Sequence, residues 1–163
     1  MKTINAIILS AAVALTMGGC RSNTNINSES AYASFETVAL STDLDGSITV
    51  RAWGKGKNKP QALEQARRNA LHDVIFKGIT QGEGGLTTCP LIYEVNAQEK
   101  YEYYFNRFFA EGGEYVNYAT FEDETRRARF TAKGKGQENW STVIHVHRNE
   151  LKQRLIEDGI IKP

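Results

Sequence analysis

The sequence predicts an α+β fold, a mainly antiparallel sheet with two or three helices packed on one face. Three observations carry this expectation. Strand-like runs arrive in hairpin groups and do not alternate with helices, which argues against a doubly wound parallel sheet. Asp45-Gly46 separates two such runs and is a hairpin-turn signal. The stretch 60–79 spaces its apolar residues by three and four, as an amphipathic helix does. The chain has 163 residues, enough for one domain with a hydrophobic core and too few for two ordinary ones. With 40% hydrophobic and 24% charged residues it reads as globular and not disordered.

Residues 35–40 and 47–53 have strand character. In the second run Ile48, Val50 and Ala52 share one face, and Thr49, Arg51 and Trp53 share the other. A Gly54-Lys55-Gly56 turn follows, then Asn58 as a helix cap and Pro60 in the first helical turn. Leu63, Ala66, Ala70 and Val74 form the buried stripe of the helix, and the two alanines allow close approach to a sheet. A glycine-rich loop, 78–85, ends it. Residues 91–95 are a short expected strand. Residues 96–110 read as a second helix with an aromatic stripe, and Gly112-Gly113 stops it. Strands are expected over 115–121, 127–132 and 139–147. In the last, Val143, His145 and His147 face one way and Thr142, Ile144 and Val146 the other. A final helix spans 150–157 with Leu151 and Leu155 inward, and Gly159 ends it.

The first twenty residues differ from the rest. Lys2 is their one charge, an apolar run extends from Ala6 to Met17, and Gly18-Gly19 precede Cys20. The run falls well short of the roughly 20 residues that span a bilayer. This ending resembles a bacterial lipobox, with Met17 where leucine is usual. The resemblance implies a lipoprotein signal peptide over 1–19, cleavage before Cys20, and lipid on the Cys20 thiol and amino group. Several acyl chains would hold the chain on a membrane without a transmembrane helix. Residues 21–33, rich in Ser and Asn and without periodicity, read as a flexible tether with a reach of about 20 Å. The folded domain is then 34–163.

A strand ending in Gly54-x-Gly56, followed by a helix carrying Ala62, Ala66, Arg67 and Ala70, resembles the N-terminal domain of the flagellar assembly protein T class. The stretch 62–78 is similar to uncharacterised envelope lipoproteins of the Bacteroides group. These resemblances imply an envelope module for assembly or interaction, and carry over no catalytic residue.

Lys plus Arg is 20 and Asp plus Glu is 19, a formal charge of +1, and loss of Lys2 with the signal would balance the two. That argues against nucleic acid as a partner. The Gly54-x-Gly56 turn, with Lys55 and Lys57, could offer backbone N–H groups and charge to an anion, as could Lys133-Gly134-Lys135-Gly136. Neither completes a dinucleotide or phosphate-loop motif. The plainer reading is two strand-end turns with solvated lysines. His145 and His147, two apart on a strand, are weak metal candidates that lack further ligands in the sequence, and no cofactor is expected. With Cys20 lipidated, Cys89 is an unpaired thiol, expected as buried; the alternatives are an intermolecular disulfide or a nucleophile beside a histidine. Among Tyr101, Tyr103, Tyr104, Phe105, Phe108 and Phe109 most read as core, while Tyr103 and Tyr104 are possible ligand or partner contacts. Glu122-Asp123-Glu124 with Arg126-Arg127 reads as a solvated turn.

The expected function is therefore a non-enzymatic envelope lipoprotein, lipid-anchored at the outer membrane and facing periplasm or surface, that makes protein–protein contacts in envelope assembly. The alternatives are a small-ligand or polymer-binding lipoprotein using the aromatic helix and, third, a Cys89-dependent hydrolase.

Overall fold

The computed structural model describes residues 35–122, 129–134 and 137–162. The signal peptide, Cys20 and the tether lie outside the described residues, as do Asp123-Glu124, Arg126-Arg127 and Lys135-Gly136. In chain order the elements are β1 (Val38–Thr42), β2 (Ile48–Gly56), α1 (Lys59–His72), a π-helical turn (Asp73–Lys77), β3 (Gln81–Gly82), α2 (Ala97–Lys100), α3 (Glu102–Phe108), a 3₁₀ turn (Glu114–Tyr118), β4 (Ala119–Phe121), β5 (Arg129–Gly134), β6 (Gln137–Val146) and α4 (Arg148–Glu157). The fold is α+β and the sheet mostly antiparallel.

The sheet runs β3-β1-β2-β6-β4, with β5 also on β6. Among the described residues only the β1–β3 pairing is parallel. β5 pairs with the first half of β6 and β4 with its end, so the two share one edge of that strand. The β1–β2 hairpin turns at Gly46, φ 81°, where the side chain of Asp45 accepts from the Ser47 N–H at 2.8 Å. The register Val50↔Ile144 and Ile48↔Val146 puts the apolar rows of the two central strands side by side. These rows, with Ala66, Ala70 and Leu71 of α1 and Leu151 and Leu155 of α4, form the buried core. Each fully buried leucine contributes about 2 kcal/mol through the apolar surface it removes from water.

The start of α1 and the end of α4 are chemically specified. The Asn58 side chain accepts from the Gln61 N–H at 3.1 Å, and the Gln61 side chain accepts from the Lys57 N–H at 3.2 Å. At the end of α4, Gly159 at φ 71° donates to Ile156 O and Ile160 donates to Leu155 O, both at 2.9 Å, while the Ile160 side chain is buried. This is a Schellman ending with its apolar contact.

Several expectations change. Gly54-Lys55-Gly56 is no turn: it completes β2, paired rung by rung with 138–140 of β6. The glycines are there because α1 crosses the strand at backbone contact; a Cβ on Gly54 would lie 1.9 Å from Ala62 O, and one on Gly56 2.5 Å from Ala62 N. Residues 91–95 form no strand. The Leu91 and Ile92 N–H groups instead donate to Val74 O (3.1 Å) and Ile75 O (2.9 Å), satisfying carbonyls at the end of the π turn. The helix expected over 96–110 is two, broken at Tyr101, whose ψ of 28° leaves the helical region. Of the strand expected over 115–121, only 119–121 forms, as β4; 115–118 belong to the 3₁₀ turn Glu114–Tyr118, which buries Tyr115.

Candidate functional site: an aromatic-floored groove

The π turn places three things at once. Gly78, at φ 75°, donates to Asp73 O at 2.7 Å and closes the turn. The freed carbonyls of Val74 and Ile75 hold the segment that leads into 93–99. Phe76 projects from the same turn to meet Phe105 of α3, edge to face at 4.8 Å between centroids. Phe105 in turn stacks near Phe109 at 6.3 Å.

Between segment 93–99 and α3 lies an open groove of about 950 Å³. Its floor is Phe76, Ile92, Ala97, Phe105 and Phe109. Its lip carries Tyr93 and Val95, exposed to 74% and 84%, unusual for side chains of this size. Glu94, Glu99 and Glu102 line it, and no lysine or arginine does among the described residues. Glu94 is engaged with Lys100 at 2.7 Å; Glu99 and Glu102 make no ion pair among the described residues. Asn96 in the lip has a left-handed backbone, φ 65°, which asparagine tolerates better than most residues.

Tyr103 lies on the exposed face of α3, 78% exposed, with the Arg107 guanidinium 6.0 Å from its ring centre. Tyr104 is half-buried and donates to Asp158 Oδ2 at 2.7 Å; burial, then that carboxylate, raise its phenol far above the ordinary value. Arg154 spans Glu114 (3.2 Å) and Asp158 (3.1 Å), so Tyr104 belongs to a polar tie between α3, the 3₁₀ turn and α4. Lys55 and Lys57 are exposed, on the last rungs of β2 and just after it. With Gly54 and Gly56 held in the ladder and against α1, the candidate anion-binding turn does not form there, and Lys55 and Lys57 are solvated as the plainer reading had them. Gly134 ends β5 in the second lysine–glycine run.

His145 and His147 are brought together, with ring centres 4.8 Å apart. His145 Nδ1 lies 3.3 Å from Thr49 Oγ1 and 3.6 Å from Asp43 Oδ2. Among the described residues no group of three or more His, Cys, Asp or Glu is arranged to hold a metal. Cys89, expected buried, is exposed. It sits beside Tyr93, whose phenol is held above its ordinary value first by the hydrogen bond to Cys89, and its carbonyl accepts from Arg148 at 3.1 Å. No hydrogen bond joins Cys89 to a histidine among the described residues; His72 faces Gln98 and Asp73 instead. The nucleophile–base contact that thiol catalysis needs is not formed.

The groove itself was hidden from sequence reasoning. Residues 93–95 read as the end of a strand and 96–99 as the start of a helix, and neither element by itself predicts a groove between them. Compared with protein-family models, curated proteins and solved structures, the chain matches none.

Proposed function

We propose that this chain is a lipid-anchored protein of the bacterial envelope whose domain works by binding another protein chain, without catalysis. The anchor rests on Gly18-Gly19-Cys20 at the end of a short apolar run. The binding role rests on the groove above: it is open along its length, floored by phenylalanines and lipped by exposed Tyr93 and Val95. An open channel with an apolar floor and an acidic, amide-bearing wall suits a segment of polypeptide better than a small molecule, which is usually enclosed over most of its surface. Among the described residues no helix is long and apolar enough to cross a membrane, so attachment would depend on Cys20.

One experiment with two arms tests both halves. A fatty-acid precursor should label the native chain and fail to label Cys20→Ser. A photo-reactive benzophenone residue at Val95 should cross-link to protein in intact cells, while one at exposed Glu83, outside the groove, should not. Label that persists in Cys20→Ser sinks the anchor; equal cross-linking from both positions sinks the groove.

A further inference from the structure

A second groove, of about 540 Å³, adjoins the first and shares Tyr93 and Glu94 with it. Its apolar floor is Leu91, Tyr101, Ile160 and Ile161, and its cations are Lys100, Lys152 and Lys162. Lys152 and Lys162 are exposed and have no acidic partner among the described residues. The surface thus has a ridge at Tyr93, an acidic channel with free Glu99 and Glu102 on one side, and a basic channel with free Lys152 and Lys162 on the other.

We propose that the chain pairs with a second copy of itself across this ridge, about a two-fold axis near Tyr93. In a two-fold interface the same patch meets itself, so a residue on one side contacts the residue on the opposite side of its copy. A patch that is acidic on one flank and basic on the other is complementary to itself under that operation. Glu99 and Glu102 of each copy face Lys152 and Lys162 of the other, and the exposed Tyr93 and Val95 are covered at the centre. This arrangement accounts for both unpaired flanks and for the exposed apolar ridge with one partner, whereas a purely basic partner would leave the lysine channel opposed by like charge. The proposal rests on the reading of the groove as a protein-contact surface. Anchoring to one membrane would help it, because tethered copies meet at raised effective concentration.

The test uses the full chain, in membranes and purified in detergent, as an equal mixture of ¹⁵N-labelled and unlabelled protein. A zero-length carbodiimide joins carboxylates to amines in contact, and mixed-isotope cross-links are intermolecular. The expected result is a dimer with Glu99 or Glu102 joined to Lys152 or Lys162 of the other isotope, weakening as salt rises. The double variant E99K/E102K should lose dimer by at least about tenfold, and the fourfold variant E99K/E102K/K152E/K162E should regain it. All four positions are exposed, and circular dichroism checks that each variant is folded. A chain that is monomeric in both settings, or a fourfold variant that fails to regain the dimer, overturns the proposal. If cross-links from Val95 then reach only other proteins, the groove remains a contact surface and only the self-pairing is lost.

Discussion

Asp73 opens the π turn and gathers three partners. Thr37 Oγ1 donates to it at 2.5 Å, Lys77 Nζ lies at 3.1 Å, and His72 Nδ1 at 3.6 Å. Burial alone would raise its carboxyl, but the hydrogen bonds from His72, Thr37 and Lys77 outweigh that and hold it below the ordinary carboxylate value. A carboxylate with a lowered folded-state pKa stabilises the fold above its unfolded pKa, near 4. That contribution is lost as pH falls through the lower folded value. Asp73→Asn is therefore expected to cost about 1 kcal/mol at pH 7, with the difference from native shrinking below about pH 4. Urea denaturation at the two pH values checks this, and a gap that stays constant contradicts it. Elsewhere on α1 the Tyr115 hydroxyl donates to Glu64 and accepts from Arg68 Nε at 3.2 Å, a second place where a buried residue keeps its polar end satisfied.

At the scale of elements, the tightest constraint is the crossing of α1 over β2. Ala62 and Ala66 present their backbones to Gly54, and Ala62 with Gln61 lies against Gly56. A methyl group on Gly54 would clash with backbone atoms, which cannot rotate away. Gly54→Ala should therefore destabilise by about 3 kcal/mol or more, lifting the helix from the sheet. Thermal unfolding measures it; a melting temperature unchanged from native would mean that the helix is not seated as described. The periodicity of α1 was legible because its buried stripe packs on a sheet, and the cap at Asn58 and stop at Gly159 were legible because they are local chemistry. The conversion of its last turn into a π turn was not. That geometry depends on Leu91 and Ile92, which arrive from far along the chain to meet Val74 and Ile75. Likewise Tyr104 reads as a possible ligand or partner contact until Asp158, just past α4, is placed beside it.

Over the whole molecule, β2 and β6 form the spine: each has partners on both sides, and both bury alternate residues under α1. β3 is an edge strand of two residues on β1. Hydrogen exchange should consequently be slowest for amides of β2 and the second half of β6, and fast over 81–86 and in the groove lip 93–96. Exchange in β3 slower than in β2 would contradict the sheet order. Under the proposed docking role, a lip of that kind would be ordered by the partner while Phe76 and Phe105 stay fixed.

The fold class, the two faces of β2 and β6, the long helix with its cap, and the Gly159 ending can all be read from the residues alone. These depend on repeat spacing and on contacts within a few residues. That Gly54-x-Gly56 is strand and not turn, that Cys89 is exposed, and that an acidic and a basic channel flank Tyr93 emerge with the packing of the folded chain. Each of these follows from long-range packing: the helix backbone laid on the glycines, the π-turn carbonyls anchoring Leu91 and Ile92, and the C-terminal tail carrying Lys162 alongside Tyr101. No local pattern encodes where segments so distant in sequence come to rest.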